Sequence, residues 1–271
     1  MNSHLVSVEW LNKHLDDSDL IVLDATMPKV TSENRSDTDL EIIPNAVFFD
    51  IKNTFSDSNS PFPNTIPREQ QFEKEVQALG INQNSIIVVY DNLGIYSSPR
   101  VWWLFKTFGF NRVYVLNGGL PEWKKKQFKT ASNYFKVKTN GDFKALYQPN
   151  KIVYFESLPS IIEDVNITII DARSSERFHC IIPEPRAGLR SGTIPNSINL
   201  PYEQVLENGC LKSMEQLQQL FKSLLTTDQL IFTCGSGITA SILDFAAHES
   251  GYENTSVYDG SWTEYGTLKS D

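Results

Sequence analysis

The sequence predicts an α/β protein made of two tandem copies of one unit, each a parallel sheet flanked by helices. Three observations carry that expectation: an internal repeat running through most of the 271 residues, short uninterrupted apolar runs, and helical stretches with one apolar stripe between those runs. "LIVLDA" ending at Ala25 returns as "ITIIDA" ending at Ala172, and "IPNAVFF" from Ile43 returns as "IPNSINL" from Ile194. "VVYDNLGIYSS" from Val88 aligns without a gap on "IFTCGSGITAS" from Ile231, and "VLNGGLPEW" from Val115 answers "VYDGSWTEY" from Val257. Four matches in the same order describe one duplicated segment.

Within each copy, strands and helices alternate. The runs at 20–23, 85–90, 167–170 and 230–233 are too apolar for half-exposed strands and suit a sheet covered on both faces. "REQQFEKEVQALG" closes at Gly80, and "SMEQLQQLFKSLL", with Ser213 as its expected N-cap, sets Leu217, Leu220, Phe221 and Leu224 on one stripe. From about 126 to 150 the periodicity fades and polar residues gather around a Gly141 turn. Domains are therefore expected at 1–130 and 150–271, joined by a linker at 131–149.

Composition narrows the function. A net charge of −9 opposes a general nucleic-acid or anionic-membrane binder, because the average field repels both. The N-terminal "MNSHLVSVEW" lacks a basic-then-apolar leader pattern and no 18-residue apolar run follows, so a cytoplasmic protein with no membrane partner is expected. Three cysteines, at 180, 210 and 234, form an odd set without CxxC spacing and suit a reducing compartment. No phosphate-binding glycine motif follows a strand, and His179 beside Cys180 lacks further ligands at usable spacing. No cofactor and no metal are expected.

The candidate site is the stretch "FTCGSGITASI" from Phe232, where a cysteine stands between a strand-like run and a helix-like one. Cys234 falls just past the end of the apolar run, where a chain turns and exposes its backbone amides. A loop over 234–239 in front of a helix N-terminus presents unsatisfied N–H groups and the positive end of the helix dipole, surroundings that favour a thiolate. Gly235 and Gly237 permit the tight backbone, Ile238 follows, and Thr239 is the expected N-cap. A cysteine phosphatase of the Cys-x5-Arg kind would need a guanidinium six residues after the thiol, where this chain has Ala240. Attack on a sulfur atom remains.

This pattern, together with "YSSPRVWW" from Tyr96, "NGGLPEW" from Asn117 and "DGSW" from Asp259, resembles the two-domain rhodanese sulfurtransferases over essentially the whole chain, and most of all their 3-mercaptopyruvate-using branch. The resemblance implies two rhodanese-like domains, the second catalytic, with Cys234 as nucleophile, Ser236 as its helper, and the remainder of the active-site loop at Gly235, Gly237, Ile238 and Thr239. It implies that Arg177 and Arg186, in "DARSSERFHCIIPEPR", bind the donor's carboxylate and keto group, with Arg173 structural. It implies a sulfur donor, 3-mercaptopyruvate or thiosulfate, and a thiol acceptor such as thioredoxin, or cyanide. Thiosulfate-preferring members resemble Cys-Arg-Lys-Gly-Val-Thr in this loop; Gly235 and Ser236 are neutral and favour a monoanionic donor. The alternatives are a thiosulfate sulfurtransferase on the same scaffold, or a non-enzymatic binding module.

The chain also departs from that pattern. Asp91 replaces a thiol in the first copy, which is then expected to be catalytically silent. Asn64 stands where related enzymes often carry a histidine, and Lys52 where some carry an acid. An asparagine cannot shuttle a proton near pH 7, so neither Asn64 nor Lys52 is assigned a catalytic role.

Overall fold

In the computed structural model, which describes residues 3–28, 40–224, 227 and 229–269, the repeat becomes two five-stranded sheets with identical connectivity. The first half contains β1 (Leu5–Val6), α1 (Val8–His14), β2 (Leu20–Asp24), β3 (Ala46–Phe48), α2 (Glu69–Ala78), β4 (Ile86–Tyr90), α3 (Ser98–Thr107), β5 (Val113–Leu116) and α4 (Gly119–Lys125). Its strands are all parallel in the order β1-β5-β4-β2-β3. The second half contains β6 (Ile152–Val153), α5 (Leu158–Glu163), β7 (Ile167–Asp171), α6 (Ser175–Phe178), β8 (Ile198–Asn199), a small hairpin β9 (Leu206–Glu207) and β10 (Cys210–Leu211), α7 (Met214–Leu224), β11 (Gln229–Thr233), α8 (Ile238–Glu249), β12 (Thr255–Tyr258) and α9 (Ser261–Leu268). Here the order is β6-β12-β11-β7-β8, again parallel.

The apolar runs form the central strands because helices cover both faces. Val88 and Val89 of β4, and Ile231 and Phe232 of β11, are fully buried, with neighbouring side chains facing opposite layers. Ser213 caps α7 as expected: its hydroxyl accepts from the Gln216 amide at 3.3 Å, and Gln216 Oε1 accepts the Ser213 N–H at 2.9 Å. Duplication extends to backbone conformation. Asn45 and Asn196, matched in the repeat, both take positive φ, as do Gly119 and Ser261, each at 52°.

From the end of α4 to Pro149 the chain has no helix or strand, as the fading periodicity suggests, yet it is laid along the first half. Ala131 bridges Ile42, the Phe135 N–H donates to the Ala46 carbonyl, and Phe143 is fully buried beside Phe72, Phe105 and Phe110. Phe143 is the one buried aromatic of this stretch, and one residue gives no period to read.

The two halves meet through α3 and α8, where Trp102 packs edge-on against Phe245 with ring centroids 5.0 Å apart. One apolar cluster runs through both halves. The β9–β10 hairpin rests on the first half, where the Leu211 N–H donates to Asn117 Oδ1 at 2.9 Å. This junction brings first-half residues onto the Cys234 loop.

Candidate active site

β11 ends at Thr233 and α8 begins at Ile238, so the turn between them is four residues, Cys234 to Gly237. Thr239, expected as the N-cap, instead lies in the first helical turn. Gly237 takes the cap position at φ +82°, a backbone conformation that a threonine adopts only with strain. A methyl group on Gly237 would also lie 2.9 Å from Arg100 Nη1 and 3.0 Å from the Asp259 carbonyl oxygen.

Ser261 holds both ends of this turn. Its Oγ accepts from the Cys234 N–H at 3.2 Å and the Gly237 N–H at 3.1 Å, and donates to the Tyr258 carbonyl at 2.9 Å. The Cys234 sulfur lies 4.0 Å from that oxygen. The following residues complete the grip, with the Trp262 N–H donating to the Cys234 carbonyl at 2.9 Å and the Thr263 N–H to the Gly235 carbonyl at 3.0 Å.

The first half shows what this turn is built to surround. At the position matched to Cys234, the Asp91 carboxylate accepts five hydrogen bonds: from the amides of Leu93, Tyr96, Ser97 and Ser98 and from the Ser98 hydroxyl, all between 2.7 and 3.0 Å. The counterpart amides in the second half, those of Ser236, Thr239, Ala240 and Ser241, find no acceptor among the described residues. One half thus has an anion cradle filled by its own carboxylate; in the other, Cys234 stands at the position matched to that carboxylate.

Both arginines converge on the turn. Gly235 lies between them: a methyl group there would sit 3.0 Å from Arg177 Nη2 and 3.5 Å from Arg186 Nη1. Arg186 Nη2 donates to Ser236 Oγ at 2.8 Å. Burial lowers the Arg186 pKa from its ordinary value; Cys234 and Glu184 pull it up, and Arg177 pushes it further down. Arg177 pairs with Glu184 at 2.6 Å, and the other oxygen of that carboxylate accepts from Arg173 at 2.7 Å. Arg173 is fully buried and forks onto Asp171 at the end of β7, which makes it the beam that carries Glu184 and, through it, Arg177.

Three first-half residues complete the site. Asn64 Nδ2 donates to Ser236 Oγ at 3.0 Å and to the Ser236 carbonyl at 3.4 Å. Arg100, fully buried, pairs with Asp259 at 2.6 Å and donates to the Asn64 carbonyl at 2.6 Å. Tyr96 faces the turn: burial, then Cys234 and Asp91, push its phenol up to about 12, with Arg186 and Arg177 opposing. The motifs "YSSPR" and "DGSW" contain Tyr96, Arg100 and Ser261, but nothing in their spacing shows that they converge. Lys52 is exposed.

Cys234 itself is only 2% exposed. An exposed turn was the expectation from its place past the end of a strand; instead Asn64 and Arg100 of the first half lie against the loop, at Ser236 and Gly237, and Ser261 to Thr263 lie against it from the second half. Arg177 and Arg186, beside the turn, are both partly exposed. Cys180 is exposed and Cys210 half-buried, and neither sits in a comparable nest of donors. Among the described residues no three His, Cys, Asp or Glu side chains gather as a metal site, and no helix is long and apolar enough to cross a membrane.

A buried cysteine at a strand-to-helix turn of a duplicated parallel sheet defines the class: the chain belongs to the rhodanese-like domain family, which matches residues 7–126 and again 155–267. Among its relatives, the 3-mercaptopyruvate sulfurtransferase of Escherichia coli K12 is 34% identical over 266 residues, covering 96% of this chain and 94% of that protein. The mitochondrial thiosulfate/3-mercaptopyruvate sulfurtransferase 1 of Arabidopsis thaliana is 34% identical, covering 97% of this chain and 76% of that protein. The crystal structure of SseA from Escherichia coli, described as a 3-mercaptopyruvate sulfotransferase with a rhodanese fold, superposes with a TM-score of 0.86 at 32% identity, covering 96% of this chain and 99% of that one.

Proposed function

We propose that this protein is a sulfurtransferase that takes sulfur from 3-mercaptopyruvate onto Cys234 and passes it to a thiol or to cyanide. The supporting observation is the pair of matched turns. Where Asp91 satisfies its cradle with a carboxylate, Cys234 occupies the matched position in the second half, at the turn that leads into α8. The guanidiniums on either side of Gly235 suit a donor that carries a carboxylate beside a carbonyl.

In the first half-reaction the Cys234 thiolate attacks the donor's sulfur. An S–S bond forms and the C–S bond breaks, its electron pair passing into the enolate of pyruvate. The thiol hydrogen stays on the outer sulfur, and the enolate takes a proton from solvent. Ser236 donates a hydrogen bond to the enolate oxygen, while Arg177 and Arg186 hold the carboxylate. In the second, a thiolate or cyanide attacks the outer sulfur, the S–S bond breaks, and its pair returns to Cys234. The 2% exposure of Cys234 keeps bulk water away from the persulfide between the two steps.

The acceptor is a thiol, such as that of thioredoxin, in a reducing cytoplasmic compartment, in keeping with three free cysteines. Neutral Gly235 and Ser236 favour the monoanionic donor over thiosulfate. Comparing kcat/KM for 3-mercaptopyruvate and thiosulfate on one preparation tests the reading. A preference of about tenfold or more for mercaptopyruvate supports it; a preference for thiosulfate, or turnover of neither donor, overturns it.

A further inference from the structure

Ser236 Oγ receives two N–H donors at once, from Asn64 Nδ2 at 3.0 Å and from Arg186 Nη2 at 2.8 Å. The orientation of the Asn64 amide is fixed by a second contact. The same nitrogen faces the Ser236 carbonyl oxygen at 3.4 Å, and a flipped amide would set oxygen against that carbonyl, which can only accept. A serine hydroxyl has two acceptor sites and one proton. With both acceptor sites filled, only the proton is left, and it has no acceptor among the described residues. Asn64 is itself placed by contacts independent of its side chain. Its carbonyl accepts from Arg100, and its φ of 59° is one that asparagine tolerates better than most residues.

We propose that Asn64 is a positioning residue that, together with Arg186, commits the Ser236 hydroxyl to a hydrogen bond with the oxygen of the departing enolate. The proposal rests on the sulfurtransferase reading above and refines one step of it. A residue that could accept from Ser236 would compete for that proton; Asn64, presenting only N–H to Ser236, does not. The site consequently has no titrating relay behind Ser236. Only the first half-reaction, which releases the enolate, needs the directed hydrogen bond. Discharge of a persulfide already formed does not.

The test separates the half-reactions in wild type, Asn64→Asp and Asn64→His. Asp keeps the size and the tolerance of positive φ but turns an acceptor toward Ser236; His introduces a group that titrates near pH 6.5. Single-turnover release of pyruvate from 3-mercaptopyruvate is expected to slow about tenfold or more in Asn64→Asp, a loss in keeping with a misdirected donor. Discharge of the loaded persulfide to cyanide stays within about twofold, showing that the Cys234 cradle is intact. Pyruvate release in Asn64→His acquires an inflection near pH 6.5 that wild type lacks. Equal slowing of both half-reactions in Asn64→Asp, or unchanged pyruvate release with no new inflection in Asn64→His, overturns the proposal. Absence of any persulfide on wild-type Cys234 is a separate outcome that overturns the sulfurtransferase reading itself.

Discussion

Arg100 of the first half and Asp259 of the second meet at 2.6 Å with both side chains buried, directly beneath the Cys234 turn. The guanidinium also donates to the Asn64 carbonyl and lies over the Trp103 ring at 4.3 Å, while the other Asp259 oxygen accepts the Ile66 N–H at 2.6 Å. The pair thereby clamps two loops from different halves. Breaking a buried pair leaves an uncompensated charge, so Arg100→Met should cost about 3–5 kcal/mol. Arg100→Met with Asp259→Leu should recover part of that loss, because neither charge is then stranded. Urea unfolding midpoints check both; a single variant within about 1 kcal/mol of wild type would show that the pair is not a clamp.

The two arginines at Gly235 differ in what else they touch, and their variants should differ accordingly. Arg186 holds Ser236, so Arg186→Gln should raise KM for 3-mercaptopyruvate and lower kcat as well. Among the described residues the Arg177 side chain pairs with Glu184, which keeps its bond to Arg173, so Arg177→Gln should raise KM with kcat nearly unchanged. Loss of one charged hydrogen bond to the donor corresponds to about a 10- to 100-fold fall in kcat/KM in each case. Steady-state kinetics decide, and identical effects on kcat would contradict the assignment.

Asp244, on the buried face of α8, supplies a pH-dependent prediction. Burial raises its carboxyl above the ordinary value, with Thr255, Lys151, His248 and Lys106 acting in the opposite direction. A raised native pKa means that the fold prefers the neutral acid. The stability this confers is whole below the unfolded-state value of 3.8 and is lost as pH rises through the native value. Asp244→Asn resembles the neutral acid and escapes that loss, so its Tm should gain on wild type as pH rises from about 4. A difference in Tm that stays constant between acid and neutral pH would contradict this.

The legible part of the fold was what repeats locally. Matched strings from Val88 and Ile231 disclosed two copies of one sheet, and apolar runs disclosed their central strands. Cys234 stood out because a thiol followed by Gly235 and Gly237 just past a strand has a chemical reason to be there. Side-chain preference misplaced the helix cap at Thr239, since the chain needs positive φ at Gly237 and that demand outweighs a hydroxyl cap. Contacts across the halves were not legible: nothing local to Asn64 or Arg100 shows that they meet Ser236 and Asp259, which lie far along the chain. The burial of Cys234 was missed for the same reason.

The central claim is that Cys234, set in the counterpart of the Asp91 cradle, is the atom that carries sulfur. Mass spectrometry of peptides after treatment with 3-mercaptopyruvate, before any acceptor is added, tests it most directly. One added sulfur on the peptide containing Cys234, absent from Cys234→Ser and removed by cyanide, is the predicted result. Sulfur found only on Cys180 or Cys210, or persisting in Cys234→Ser, would contradict it.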